Sequence, residues 1–318
     1  MGKYDDAMYR YMKDSERFAE LINAAIFKGK QVLKPEMLEP DDGRYVAVKK
    51  FPNGKLHSFN RFRDIKKRTK DGIFFALTAI ENQEMVDYTM PWRMMQYDQM
   101  EYEEQLCQIR KQKEVELLAQ GIEHNRWNVL IGENDKLYPT YSVCFYHGTE
   151  LWDGPRSLRD MMNFNGAESD WVEHFQDYGI NLFCANEVHD YSIFRTGLRQ
   201  LLQVIPYRKN RKKLYEVFNK EEFHVLDRDT AEVIAIMTDA TGILERLDKY
   251  EVKGGYDMCQ AMDELKADWR AEGKAEGKAE TLVYSIRNIM KTMELTANQA
   301  MDALLIPEED RENYFAKL

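Results

Sequence analysis

The spacing of apolar residues in the first half of the chain predicts a helix, three strands, a second helix and a fourth strand. Apolar side chains recur at helical intervals across Ser15–Phe27 and share one face, so we expect a helix that ends in the glycine-containing segment 28–30. A longer helical pattern runs from Met90 to about Leu118. Strands are predicted where short apolar runs lie between turn residues, at 45–48, 57–65, 73–80 and 137–146.

The second half of the chain has a mainly helical pattern. We expect one further strand at 178–185 and helices at 194–205, 212–219 and 230–247. Residues 262–280 repeat Glu-Gly-Lys-Ala around Gly273 and Gly277, which is typical of an exposed helix or a linker. Amphipathic spacing returns at 281–318, so this segment is predicted to pack or to self-associate. The expected divisions of the chain are 1–190, 191–261 and 262–318.

Composition indicates a globular protein with a polar surface, since 44% of the residues are hydrophobic and 31% are charged. No apolar run approaches the roughly 18–20 residues needed to cross a membrane, and the first residues lack an apolar signal core. The four cysteines are scattered, which is typical of reduced thiols, so we expect a cytoplasmic location and no membrane partner. The net charge of −10 argues against coating nucleic acid by bulk electrostatics.

Residues 61–83 combine charged and apolar positions in a way that suggests chemistry. Six of the ten residues from 61 to 70 are basic, and Asp64 lies among them. The apolar run 74–80 then ends abruptly at Glu81. A carboxylate at the end of a buried strand is costly to desolvate, and two carboxylates brought together usually need a metal ion or a shared proton. The pair therefore suggests a site that cuts a phosphodiester bond.

The turn between the second and third predicted strands determines whether these acids meet. If residues 71–72 form a two-residue loop, Asp64 lies opposite Ala79. Since side chains alternate along a strand, Asp64, Glu81 and Gln83 would then project from the same side of the hairpin. A shift of one residue in the turn would put the acids on opposite faces.

The order of elements and several short motifs resemble the Rpn family of recombination-promoting nucleases, which belongs to the PD-(D/E)XK nuclease superfamily and whose members are also described as transposases. The resemblance is best over residues 14–165, and the tail repeats are similar to the variable C-terminal repeats of that family. The matching motifs are Arg63-Asp64-Ile65, Ile80-Glu81-Asn82-Gln83, Tyr88-Thr89-Met90-Pro91 and Tyr146-His147-Gly148.

This resemblance implies an α/β, restriction-endonuclease-like core, made of a helix, a three-strand meander, a helix and a strand, followed by a mostly helical C-terminal region. It also implies a DNA endonuclease that depends on Mg²⁺, with Mn²⁺ or Ca²⁺ as alternatives, and a role in recombination or mobile elements. Asp64 and Glu81 match the two acids of the family motif. Gln83 takes the place of the superfamily's lysine, as expected for the Rpn branch, and can orient water but carries no charge.

The implied site has further residues around the two acids. The backbone carbonyl of Asn82 would complete the metal ligands, because Mg²⁺ prefers oxygen donors. Glu20, on the first predicted helix, matches a supporting acid found in some superfamily members, although a surface position is an equal alternative. The basic side chains would neutralise the DNA backbone and are Arg63, Lys66, Lys67 and Arg68.

Two other interpretations remain open from the sequence. In the first, the hairpin acids form ion pairs with Arg63 or Lys66 and have only a structural role. In the second, the chain is a non-catalytic interaction protein that keeps the nuclease fold and forms homo-oligomers through its C-terminal helices. The net charge of −10 and the glutamine at position 83 favour this second interpretation.

Overall fold

A computed structural model describes residues 3–41, 44–50, 56–62, 65–80, 86–122, 129–315 and 318. Its strands are β1 Leu38–Asp41, β2 Arg44–Lys50, β3 Leu56–Phe62, β4 Ile65–Thr69, β5 Phe74–Ile80, β6 Thr140–Tyr146, β7 Asn181–Cys184, β8 Glu251–Val252 and β9 Gly255–Tyr256. Its α-helices are α1 Lys3–Met12, α2 Ser15–Phe27, α3 Met90–Ala119, α4 Ser169–Glu173, α5 Leu198–Val204, α6 Arg211–Phe218, α7 Arg228–Met237, α8 Thr241–Leu244, α9 Met258–Met293, α10 Ala297–Ala303 and α11 Glu308–Phe315.

The central feature of this α/β fold is a mixed five-stranded sheet with the order β1-β4-β5-β6-β7. The pairs β1/β4 and β4/β5 are antiparallel, whereas β5/β6 and β6/β7 are parallel. Helix α3 connects β5 to β6, as a parallel pair requires a long crossover. Along the chain, the described elements therefore run α2, the meander β1-β4-β5, α3 and β6, with the β2-β3 ribbon inserted between β1 and β4.

Two of the strand predictions need correction. The segments predicted at 45–48 and 57–65 fall mainly in β2 and β3, which pair with each other in a separate ribbon outside the five-stranded sheet. The first strand of the meander is β1, which contains Pro40 and was not predicted. Because β1 lies at the edge of the sheet and pairs only on one side, it tolerates a proline and needs no continuous apolar pattern.

The first predicted helix is confirmed at both ends. Asp14 caps α2 by accepting the backbone N–H groups of Glu16 and Arg17, each at 3.0 Å. The helix ends at Lys28, which has a left-handed backbone with φ of 53°. Phe18, Leu21 and Ile22 of its apolar face are fully buried, and the last turn is partly buried. The long helix predicted from Met90 is likewise confirmed as α3.

The second half of the chain is mainly helical, as predicted, and one of its predicted helices needs correction. The helix predicted over 230–247 is divided into α7 and α8, since Asp239 has a φ of 55° that ends the α7 segment. The repeat at 262–280 is part of the continuous helix α9. The predicted strand at 178–185 contains β7. Among the described residues, no helix is long and apolar enough to serve as a membrane span.

The apolar residues of the C-terminal tail pack against one another. Ile286 of α9 forms a small buried cluster with Ala300 and Met301 of α10 and with Ile306. At its other end α9 contributes Met262 to the main core, which also contains α1, α2, α5 and α7 residues. The amphipathic pattern of 281–318 is therefore satisfied at least in part by contacts within the chain.

The turn between β4 and β5 has three residues, so the predicted two-residue loop is wrong. Gly72 donates its N–H to the Thr69 carbonyl at 2.9 Å, and Thr69 donates its N–H to the Ile73 carbonyl at 2.8 Å. The φ of Gly72 is 91°. A three-residue hairpin of this kind needs a left-handed residue at its last position, which glycine adopts without strain.

The observed strand register differs by one residue from the predicted one. Ile65 lies opposite Leu77, a pairing that is not compatible with Asp64 opposite Ala79 in a regular ladder. We expected Asp64, Glu81 and Gln83 to share a face because of the predicted register. The observed register of β4 and β5 does not support that expectation. These three residues themselves lie outside the described part of the chain.

Replacing Gly72 with alanine is expected to lower the free energy of unfolding by about 2–3 kcal/mol. A β-carbon at this position would lie 2.6 Å from the Tyr138 ring, and it would also be strained by the positive φ. Gly166→Ala is the matched control, because Gly166 has a φ of 77° but no neighbouring atom within 4 Å of the added carbon. We expect the control to cost about 1 kcal/mol in urea denaturation. Equal costs for both variants would contradict a steric contribution at Gly72.

Candidate functional site

All three predicted catalytic residues lie outside the described part of the chain, together with two other predicted site residues. This holds for Arg63, Asp64, Glu81, Asn82 and Gln83. Their described neighbours are Ile65, the first residue of β4, and Ile80, the last residue of β5. Ile80 pairs with Tyr146 at the carboxyl end of the parallel strand β6. Ligands of open α/β sheets commonly bind at the carboxyl ends of such strands, which makes this edge the candidate site.

His147 lies at this edge, immediately after β6, and is fully buried. Its Nε2 atom is 3.6 Å from Oδ1 of Asp5 on α1, which is too long for a hydrogen bond. Within the described part of the chain, neither ring nitrogen has a hydrogen-bond partner. Phe145 lies on one side of the imidazole, with 5.7 Å between ring centroids. A buried polar ring with unused hydrogen-bonding capacity is uncommon, and this one follows a strand that pairs with β5.

Glu20 is buried on α2 and anchors a neighbouring loop. Its Oε1 accepts the backbone N–H of Arg195, and its Oε2 accepts the hydroxyl of Thr196 at 2.6 Å. The backbone N–H of Thr196 also points at both carboxylate oxygens. These contacts hold the segment that leads into α5 against α2. Since protein donors engage both oxygens of Glu20, we leave it out of the proposed metal site.

Lys66 projects from β4 towards α3 and is almost completely buried. Its ammonium nitrogen lies 2.8 Å from Oε2 of Glu101 and 3.4 Å from Oδ2 of Asp41. It is also 4.8 Å from the centroid of the Phe74 ring. Glu101 is only 1% exposed, so this is a buried ion pair between the sheet and α3. The ammonium group of Lys66, predicted to contact DNA, therefore lies in the protein interior.

Lys67 projects from the opposite face of the sheet and is also buried. Its ammonium group donates hydrogen bonds to the Lys13 carbonyl at 2.7 Å and to the Ser15 hydroxyl at 2.8 Å. Burial lowers the pKa of this ammonium group. Arg68, in contrast, is exposed and lies 3.6 Å from Glu39. Of the basic residues predicted to contact DNA and described here, only Arg68 presents its charge to solvent.

Helix α3 also presents other polar side chains to the sheet. Asp98 accepts a hydrogen bond from the Ser142 hydroxyl at 2.5 Å and another from the Tyr178 hydroxyl. One turn later lies Glu101, and Gln105 accepts the backbone N–H of Tyr138 at 2.8 Å. These three polar residues of α3 were not predicted from the sequence. Their i, i+3, i+7 spacing, which puts them on one helix face, could have identified them.

No protein-family model, curated protein or solved structure matches the chain in the three comparisons.

Proposed function

We propose that the chain is a Mg²⁺-dependent DNA endonuclease with a restriction-endonuclease-like core, related to the Rpn nucleases. The observation that supports this proposal most is the order of described elements: a helix, a three-strand meander, a helix and a strand parallel to the last strand of the meander. The resemblance implied this order. The motif acids also have consistent places in the chain, since Asp64 directly precedes β4 and Glu81 directly follows β5.

The donor set fits the proposed metal. Carboxylates and a backbone carbonyl are hard oxygen ligands, which Mg²⁺ prefers over nitrogen or sulfur. In this proposal Asp64, Glu81 and the carbonyl of Asn82 hold the ion, which when bound supplies electrophilic activation of the scissile phosphate. Mn²⁺ is an alternative ion for the same ligands.

The remaining proposed roles belong to side chains of the protein. The amide of Gln83 orients the attacking water or a phosphate oxygen by hydrogen bonding, without adding charge. Arg68 and Arg63 offset the charge of the DNA backbone, an interaction that weakens as salt increases. Lys66 and Lys67 contribute to the fold instead, because their ammonium groups are bound to protein acceptors. Buried His147 at the neighbouring strand end is suited to support the site by hydrogen bonding.

We expect the purified chain to convert supercoiled plasmid DNA to nicked or linear forms in millimolar Mg²⁺ or Mn²⁺. EDTA should abolish the reaction, and restored Mg²⁺ should return it, because the ion supplies the chemistry in this proposal. The rate should fall as salt is raised, since phosphate contacts are screened. A cleavage activity that persists unchanged in EDTA would contradict the proposal.

The second candidate function is a non-catalytic interaction protein with the same fold. The glutamine at position 83 and the net charge of −10 favour it. Calorimetry distinguishes the two functions: heat of Mg²⁺ binding at millimolar concentration favours the nuclease, whereas the absence of both binding and cleavage favours the rival. Self-association is best measured by sedimentation of the full chain, because Met262 and Leu265 of α9 belong to the main core and a deletion from position 262 would remove them.

A further inference from the structure

Three potential metal ligands meet where α9 begins, within the helical second half of the chain. They are His224, Asp257 and Cys259, and one donor atom from each lies within 4.8 Å of the others. His224 follows a single 3₁₀ turn at Glu221–Phe223, Asp257 is the N-cap of α9, and Cys259 lies in the first turn of that helix. The group combines a nitrogen, an oxygen and a sulfur donor.

Backbone contacts hold the two segments that carry these ligands in register. Leu226 donates its N–H to the Tyr256 carbonyl at 3.0 Å, and Tyr256 donates its N–H to the Leu226 carbonyl at 2.8 Å. A β-carbon added to Gly255 would lie 2.3 Å from the Leu226 carbonyl oxygen, so the segments are in close contact. Residues 224 and 257 are therefore brought together by the fold itself and not only by their side chains.

The carboxylate of Asp257 is already oriented for a second interaction. Its Oδ1 accepts the backbone N–H of Gln260 at 2.9 Å, as an N-cap does. Its Oδ2 lies 3.0 Å from Nδ1 of His224. The helix cap thus fixes one oxygen and directs the other towards the imidazole. Nearby, the Asn219 side-chain oxygen at the end of α6 lies 3.8 Å from Sγ of Cys259.

We propose that His224, Asp257 and Cys259 form a Zn²⁺ site that joins the 224–226 segment to the start of α9. A tetrahedral zinc ion with bonds of about 2.0–2.3 Å needs donor atoms roughly 3.3–3.7 Å apart. The donor atoms of the three residues lie within 4.8 Å of one another. Side-chain rotations that bring the most distant pair of donor atoms about 1 Å closer would therefore allow zinc to bind. His224 is about half exposed, which provides a path for the ion from solvent.

Donor chemistry separates this site from the proposed nuclease site. Thiolate and imidazole ligands favour Zn²⁺ and similar transition metals, whereas Mg²⁺ favours oxygen ligands. Asn219 supplies an oxygen for the fourth position, with water as the other candidate. Because the ligands come from segments more than 30 residues apart, a bound ion would cross-link them and stabilise the fold. The zinc proposal does not depend on nuclease activity.

His224 and Asp257 share a hydrogen bond at the helix cap, and the Cys259 thiol lies nearby. The hydrogen bond to Asp257 raises the pKa of the His224 imidazole. Burial raises the pKa of the Cys259 thiol, and the nearby carboxylates of Asp263 and Asp257 raise it further.

The test uses the metal-stripped full chain, titrated with Co²⁺ and then with Zn²⁺. We expect one Co²⁺ per chain with a thiolate-to-cobalt charge-transfer band, displacement of Co²⁺ by Zn²⁺, and a higher thermal midpoint with Zn²⁺ bound. Cys259→Ser should abolish the charge-transfer band, and His224→Gln should weaken Zn²⁺ binding at least about tenfold.

Cys107→Ser is the matched control, because Cys107 is an exposed cysteine on α3, and it should leave both signals unchanged. Circular dichroism of each variant without metal verifies folding. A charge-transfer band that survives Cys259→Ser would overturn the site, as would Zn²⁺ affinity that is the same in the His224→Gln variant and the unmodified chain. Loss of DNA cleavage in Asp64 or Glu81 variants would have no bearing on either result.

Discussion

Replacing Asp64 with asparagine or Glu81 with glutamine is expected to lower the rate of Mg²⁺-dependent plasmid cleavage by about 100-fold or more. Each substitution keeps the size of the side chain but removes a negative charge that would hold the metal. We expect weaker Mg²⁺ binding in calorimetry for both variants, since a neutral amide is a poorer ligand than a carboxylate. Initial rates over a range of Mg²⁺ concentrations separate weaker binding from a slower reaction.

Asp71→Asn is the matched control for these variants. Asp71 belongs to the same hairpin but lies in the exposed turn between β4 and β5. It should retain cleavage within about twofold, because asparagine suits turns as well as aspartate does. The site assignment fails if the Asp64 and Glu81 variants cleave as fast as this control. It also fails if all three variants lose activity equally while remaining folded.

Replacing Lys66 with methionine is expected to lower the free energy of unfolding by about 3–5 kcal/mol. The substitution leaves Glu101 buried against the sheet without the cation that lies 2.8 Å from it. Removing one partner of a buried ion pair is costly, whereas an apolar pair of similar size is tolerated. Combining Lys66→Met with Glu101→Leu should therefore recover much of the lost stability. Urea denaturation with a constant m-value measures both effects.

Arg68→Met provides the comparison on the same strand. The Arg68 side chain is 53% exposed, and its guanidinium group lies 3.6 Å from the carboxylate of Glu39, whose side chain is 45% exposed. Solvent screens such a pair, so its loss should cost about 0–1 kcal/mol. A cost for Lys66→Met as small as that for Arg68→Met would show that the Lys66–Glu101 pair contributes no more than a surface ion pair.

The helices at α2 and α3 were predictable because their signals are local. Apolar spacing and the Asp14 cap define α2, and Pro91 in the first turn suits the beginning of α3. The sheet was harder to predict because its strands depend on distant partners. β1 is marked by no apolar run, and β4 reads Ile-Lys-Lys-Arg-Thr, which resembles a solvated surface. Lys66 and Lys67 point to opposite faces of the sheet, and protein is packed against both faces. Both lysines are therefore buried although they are consecutive in the sequence.

In the candidate site, too, the local sequence indicates some residues, whereas contacts between residues far apart in the chain determine the role of others. Asp64 and Glu81 stand out by their place in the chain, whereas Lys66 forms an ion pair with Glu101, 35 positions further along. No local pattern connects those two residues, so Lys66 was grouped with its basic neighbours as a DNA contact. The three-residue turn was also beyond the sequence pattern, because Asp71-Gly72 suits both hairpin lengths and the difference moves the register by one residue.

Helix α9 spans the interval between two hydrophobic clusters, from Leu265 in the main core to Ile286 in the tail cluster. The Glu-Gly-Lys-Ala repeats lie in this interval, and each four-residue unit advances a helix by about 6 Å and turns it about 40° beyond one full rotation. Adding or removing one unit would therefore move the tail along a screw path while leaving both clusters intact. The number of repeats therefore sets the distance and the rotation between the tail cluster and the main core.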